Sequence, residues 1–148
     1  MGEILIMNNL INEKAINELE NKLNIEFNNK CLLQEAVTHR SFPNENQDLN
    51  FSDNERLEFL GDAVLDLSIS TYLFNKFTKF PEGERAKIRS KLVSEKVLTE
   101  KSEELNIGRH ILLGKGEELS GGRERKSILA DTLEAVIESG KDVVDISF

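Results

Sequence analysis

The sequence predicts an all-α fold, and three features predict it. Strand patterning is poor throughout the chain. From Glu55 onward, Leu57, Leu60, Val64, Leu67 and Ser68 recur at the spacing of three and four that lines one helical face. Pro81 and Gly83, Asn106-Ile107-Gly108 and the glycine-rich stretch from Gly114 to Gly122 divide the remainder into segments of helix length.

Taken in order, Leu10, Ile16, Leu19 and Leu23 support a first amphipathic helix within residues 8–24. A turn around Ile25 and Phe27 follows. Residues 30–39 predict a second helix with Leu32, Leu33, Ala36 and Val37 facing inward. Phe42 to Phe51 is polar and carries Pro43, which predicts a loop. Ser52, three residues before Glu55, has the spacing of a capping box and predicts the start of a long central helix that runs to about Phe77. Phe59, Ala63 and Ile69 widen its apolar face, so this helix is expected to be buried on most sides. Gly61 inside it costs about 1 kcal/mol against alanine, which predicts close approach of another helix. Residues 85–104 predict one further helix, with Ile88, Leu92, Val93, Val97, Leu98 and then Leu105 inside. Arg125 to about Glu138 predicts the final one, and Val143, Val144, Ile146 and Phe148 suit a short closing helix.

Composition bounds the rest. With 148 residues, 39% hydrophobic and 31% charged, the chain suits one domain with a core of its own. Residues 1–14 read as an N-terminal extension and the start of the first helix, and 15–148 as the domain proper. No apolar run reaches membrane-spanning length, and the first residues lack the pattern of a secretory signal. The single cysteine, Cys31, excludes an internal disulfide and a cysteine-rich zinc site, consistent with a reducing cytoplasm. His39 and His110 are too isolated for zinc and read as hydrogen-bonded structural residues. Gly114-Lys115-Gly116 is not a phosphate loop, because Arg109 and Gly116 stand where glycine and Ser/Thr are required.

Carboxylates carry the chemistry. Glu55, Glu58 and Asp62 stack at i, i+3 and i+7 inside the apolar pattern, where they need a positive partner: Arg56 or a bound cation. Glu58 and Asp62 stand at i, i+4, and Asp131 and Glu134 at i, i+3, so each pair projects from one helical face. Two such helices side by side would converge four carboxylates. Hard oxygen donors of this kind suit Mg²⁺, with Mn²⁺ able to substitute. The structural alternative is four solvated or salt-bridged side chains.

The stretch Glu55-Arg56-Leu57-Glu58-Phe59-Leu60-Gly61-Asp62 resembles the signature motif of the ribonuclease III family. Around it, in order, stand Leu33-Gln34-Glu35-Ala36-Val37-Thr38-His39-Arg40-Ser41, Phe80-Pro81-Glu82-Gly83, Ser120-Gly121-Gly122-Arg123 and Ile128-Leu129-Ala130-Asp131-Thr132-Leu133-Glu134-Ala135. The resemblance covers about residues 15 to 137. It implies the helical endonuclease fold of that family and Mg²⁺-dependent cleavage of double-stranded RNA, in RNA processing, to staggered ends with 5′-phosphates. Glu58, Asp131 and Glu134 would ligate metal, with Asp62 and Glu134 closest to the chemistry. Glu55 and Glu82 would flank the RNA, and their structural alternatives are a helix cap and a turn residue. Phe59 reads as core from the residues alone, whereas the resemblance makes it a knob in the interface of a homodimer. No organic cofactor and no membrane are implied.

The chain departs from the family pattern after Ile137, where a handful of residues is missing, and no double-stranded-RNA-binding domain follows before Phe148. Its net charge of −8 also runs against a nucleic-acid binder and predicts weak RNA affinity. Arg123 and Arg125 are the local cations that could meet phosphate from a mobile loop. Two other classes therefore stand beside the nuclease. One is a non-catalytic RNA-binding or dimerisation module on the same fold, and the other a metal-dependent hydrolase of a different phosphate ester.

Overall fold

The computed structural model describes residues 13–140, and its packing is organised on the final helix of that range. The helices are α1 (Glu13–Leu23), α2 (Lys30–Ala36), α3 (Ser41–Glu45), α4 (Glu55–Lys76), α5 (Glu82–Leu92), α6 (Glu95–Glu104), α7 (Lys115–Leu119) and α8 (Lys126–Gly140). Short 3₁₀ turns lie at Gln47–Leu49, Ile107–His110 and Gly122–Glu124. The architecture is all-α, as the sequence predicts. The nearest thing to a strand among the described residues is one isolated parallel bridge between Thr38 and Leu112.

Eleven of the fifteen residues of α8 are buried. Leu129, Leu133 and Val136 join Ile16 and Leu19 of α1, Leu33 of α2, and Ile107 and Ile111 in one core. Each leucine fully removed from water contributes about 1.5–3 kcal/mol. The central helix α4 is different: only Gly61 and Leu73 are buried. It packs on α8 along one side and leaves Phe59, Leu67, Tyr72 and Phe74 exposed. The expectation of a helix buried on most sides is therefore corrected, because its apolar pattern serves two faces and one chain covers one of them.

Local boundaries shift for identifiable reasons. α2 ends at Ala36 because residues 37–39 turn to pair with the 111–112 segment: Leu112 N–H donates to Val37 O at 2.8 Å and His39 N–H to Leu112 O at 3.0 Å. The loop expected over 42–51 holds α3 and a 3₁₀ turn instead. Ser52 does not cap α4; the helix starts at Glu55, whose N–H is accepted by Asp53 Oδ1 at 3.0 Å. The single helix expected over 85–104 is two, broken where Ser94 Oγ accepts the Val97 N–H and opens α6. The glycine-rich stretch is not a free loop either. Glu45 accepts the N–H groups of Lys115 and Gly116 at 2.6 and 3.1 Å and fixes the start of α7. Leu10 and the closing segment 143–148 lie outside the described residues. Among the described residues, no helix is long and apolar enough to cross a membrane.

Gly61 positions the site. A Cβ there would stand 1.9 Å from the carbonyl oxygen of Glu134, a backbone atom that cannot swing away. Gly61→Ala should push α4 off α8 and cost at least the roughly 1–3 kcal/mol typical of overpacking. Gly83 faces open space, so Gly83→Ala should leave stability unchanged or slightly raised. Urea denaturation of the two variants checks the contrast.

Candidate active site

The close approach at Gly61 brings two carboxylate pairs onto one spot. Glu58 and Asp62 of α4 bracket Gly61, while Asp131 and Glu134 lie one turn apart on α8. One carboxylate oxygen from each of Glu58, Asp131 and Glu134 lies within 4.8 Å of the others. Asp62 reaches Glu134 with a side-chain hydrogen bond. Glu134 is buried, Glu58 and Asp131 are half-buried, and Asp62 is exposed.

Electrostatics follow from this crowding. Burial first, then the charges of Asp62, Asp131 and Glu58, push Glu134 up from 4.5 to about 8. Glu58 is raised by burial and then by Asp131, Glu55 and Asp62. Asp131 is raised by burial and then by Glu95. No ion pair reaches Glu58, Asp131 or Glu134 among the described residues. Arg56, one of the two expected partners, does not serve; Arg40 instead meets the exposed Glu55 at 3.4 Å. Three convergent hard oxygens, one of them protonated at neutral pH without a counter-charge, fit a divalent cation.

Beside the carboxylates lies a polar cleft of about 420 Å³ whose walls include His39, Arg40, Asn54, Glu55, Arg125 and Asp131. His39 Nδ1 is held by Ser41 Oγ at 2.8 Å, the structural role its sequence context predicts. Its pKa is lowered, chiefly by burial. His110 is buried and its Nδ1 has no hydrogen-bond partner, which corrects the expectation of a hydrogen-bonded residue at that atom. Glu82 opens α5 in an exposed position outside both the cluster and the cleft. Phe59 is 80% exposed, which overturns its reading as core.

Arg123 is a correction. Its guanidinium donates to Gly108 O at 2.7 Å and Ile111 O at 2.8 Å, and pairs with Glu118. It clamps the turn before α8 and is not a free phosphate contact. Arg125 pairs with Glu117 at the cleft wall. Sequence reasoning misses Asn54, which lies among Asn44, Asn46 and Asn50 with nothing in its spacing to set it apart. Its buried side-chain amide donates to Ala36 O at 3.0 Å and to Thr132 Oγ1 at 3.5 Å, while its own N–H donates to Thr38 O at 2.9 Å. It ties α2, the start of α4 and α8 together one residue from Asp131. No periodicity or spacing signals such a residue.

Residues 29–139 match the family model described as Ribonuclease-III-like. The chain belongs to the ribonuclease III family. It is 53% identical over 127 residues to Ribonuclease 3 of Clostridium botulinum (strain Eklund 17B / Type B), covering 86% of this chain and 54% of that protein. With Ribonuclease 3 of Halalkalibacterium halodurans the identity is 45% over 137 residues, 89% of this chain and 52% of the relative. The chain thus spans about half the length of the curated relatives it matches. The nuclease domain of ribonuclease III from Campylobacter jejuni superposes with a TM-score of 0.79 at 46% identity, covering 87% of this chain and 86% of that one. The helical fold is therefore that of a ribonuclease III nuclease domain. Membership of the family implies a divalent-metal requirement in general, and Glu58, Asp131 and Glu134 are residues whose geometry here suits one.

The raised carboxyls make metal-free stability depend on pH. Glu134 holds its proton more tightly folded, at about 8, than unfolded, at 4.5. Between those values the folded state binds more protons than the unfolded state, so stability falls as pH rises. Glu58 and Asp131 act with the same sign. Thermal melts in chelator from pH 5 to 8 should show a falling Tm that Glu134→Gln flattens. Adding Mg²⁺ should restore Tm most strongly at the high-pH end, since ligation requires the deprotonated carboxylate.

Proposed function

We propose that this chain is a Mg²⁺-dependent endoribonuclease, with Mn²⁺ able to substitute, that cuts double-stranded RNA as a homodimer. The convergence of Glu58, Asp62, Asp131 and Glu134 under the Gly61 contact carries the reading. Glu58, Asp131 and Glu134 hold the cation. When bound, Mg²⁺ supplies Lewis-acid polarisation of a phosphodiester and a water of lowered pKa. Glu134 would hold the cation as a carboxylate, and in the metal-free site the proton it carries is the one shared with Asp62. Asp62, the exposed member of the four, would orient the attacking water. The cleft walled by Arg40 and Arg125, with Glu55 at its edge, accepts the sugar–phosphate backbone. Shape and 2′-OH contacts then select duplex RNA over DNA. Glu82 extends the RNA-facing surface only if α5 meets the duplex.

The dimer rests on the uncovered face of α4. Phe59, Ala63, Leu67 and Phe74 form one exposed stripe, with Phe59 80% and Phe74 66% accessible. An apolar stripe of this length on one helix marks an interaction surface. The Campylobacter jejuni nuclease domain has a region involved in dimer formation. A twofold pair would place two sites on one duplex, each cutting one strand to leave staggered ends. The net charge of −8 keeps affinity for RNA low and salt-sensitive.

Incubation with labelled duplex RNA should give staggered products with 5′-phosphates only when Mg²⁺ is present, and Glu134→Gln should abolish cleavage with the fold intact. Cleavage by the variant near the wild-type rate would remove Glu134 from the mechanism. Binding without cleavage would identify the non-catalytic module instead, and metal-dependent phosphatase activity without RNA cleavage a different hydrolase.

Phe59→Ala separates association from folding. It should weaken dimerisation by roughly 2–4 kcal/mol, as a packed interface aromatic does. Unfolding of the single domain should change by less than about 0.5 kcal/mol, because the ring touches little within one chain. Sedimentation across protein concentrations reads the first quantity and denaturation the second. The variant should nick one strand; a wild-type chain monomeric at every concentration would sink the dimer.

A further inference from the structure

The hydrogen bonds around His39 leave one edge of its ring to the polar cleft. Its backbone N–H donates to Leu112 O at 3.0 Å, which pins residue 39 to the 111–112 segment. The Ser41 N–H donates to His39 Nδ1 at 3.2 Å. Ser41 Oγ stands 2.8 Å from the same nitrogen and accepts the Gly114 N–H at 2.9 Å. Gly114 is pressed onto this turn: a Cβ there would lie 2.6 Å from Ser41 O. The imidazole is thus held from its backbone and its Nδ1 side.

These bonds fix the tautomer. A backbone N–H can only donate, so Nδ1 is an acceptor and carries no proton. The Ser41 hydroxyl accepts from Gly114 and turns its own hydrogen to Nδ1, which agrees. Burial also disfavours the charged ring. In the neutral ring the proton then sits on Nε2. Among the described residues no group takes that N–H, and Nε2 is not one of the buried atoms without a partner. His39 is half-buried in the wall of the cleft, so this donor opens to it.

Neutrality matters in this wall. Glu55, Glu58, Glu117 and Asp131 line the same cleft. Cations there are captured: Arg40 pairs with Glu55, and Arg125 with Glu117. The neutral His39 edge is in no such pair and stays open to a ligand. Glu58 and Asp131 also belong to the carboxylate cluster, so a strand seated in the cleft meets the cluster and His39 together.

We propose that His39 is a substrate-binding residue whose Nε2–H donates to a sugar–phosphate oxygen of the RNA strand in the cleft. This contact rests on the nuclease reading and deepens it, with a donor whose orientation Ser41 and Gly114 set before RNA arrives. The acceptor is a phosphate oxygen or a 2′-hydroxyl oxygen of one and the same backbone.

The chain has two histidines, so NMR of the ring nitrogens resolves His39 from His110. In chelator, where no cleavage occurs, His39 should show a bare Nδ1 and a protonated Nε2. A ring protonated at Nδ1 would overturn the proposal before RNA is added. A short duplex RNA should then shift the His39 Nε2 signal and leave His110 in place. A duplex with 2′-fluoro sugars keeps the A-form and lacks the hydroxyl. A shift retained with it assigns the contact to phosphate, and a shift lost assigns it to the 2′-hydroxyl. His39→Asn keeps an acceptor oxygen beside Ser41 and removes the far edge of the ring. It should weaken duplex-RNA binding in chelator roughly two- to tenfold, the range of one neutral hydrogen bond. Equal affinity of wild type and His39→Asn, or an Nε2 signal unmoved by bound RNA, overturns the proposal, while cleavage by the wild type in Mg²⁺ leaves the nuclease reading standing. A wild-type chain that neither binds nor cuts duplex RNA ends both.

Discussion

The contact between the Gly61 backbone and the Glu134 carbonyl is the constraint on which the rest depends. A Cβ at residue 61 would lie 1.9 Å from that oxygen, so no other amino acid permits the two helices to run this close. The approach aligns residues just before and after Gly61 on α4 with those one turn around Glu134 on α8. Carboxylates occupy those positions on both helices. The fold therefore places like charges together through backbone packing, with the Asp62–Glu134 hydrogen bond bridging the two helices. The apolar face of α8 holds the arrangement against that repulsion, through Leu129, Leu133 and Val136 in the shared core.

Like-charge crowding has a consequence that a salt-bridged cluster would not show. With no cationic side chain among the described residues paired to Glu58, Asp131 or Glu134, the metal-free site lowers its charge by taking up protons, and Glu134 is the group that does so. On the proposed reading a divalent cation would replace that proton and meet all three oxygens at once. The same residues that make the metal-free site electrostatically poor would make a loaded site strong.

Much of this was legible in the sequence because it is local. Carboxylate spacing on a helix depends only on 3.6 residues per turn, so the pairs Glu58/Asp62 and Asp131/Glu134 and their convergence were readable, and Gly61 announced the close approach. What escaped is non-local. Asn54 matters through bonds to Ala36 and Thr132, eighteen and seventy-eight residues away, and nothing in its own neighbourhood distinguishes it from the asparagines around it. Arg123 looked like a free cation and is consumed by carbonyls that a 3₁₀ turn leaves open. Phe59 failed differently: periodicity says that a face is apolar but not which body covers it, and here the domain covers only one side of α4.

That distinction between faces lets one helix carry both the candidate site and, on the proposed reading, an interface. α4 presents its Gly61 side to α8 and its Phe59, Leu67 and Phe74 stripe outward, with Glu58 and Asp62 along the seam between them. Side chains at the seam feel both neighbours. A shift of α4 caused by whatever covers the outer stripe would be transmitted to the carboxylates directly, because the inner side is a rigid backbone contact with no slack. Association and cation binding would then act on one helix position, and a body seated on the outer face would favour the spacing at which Glu58, Asp131 and Glu134 close on one ion. Coupling of this kind needs no long pathway, since a single helix separates the two surfaces.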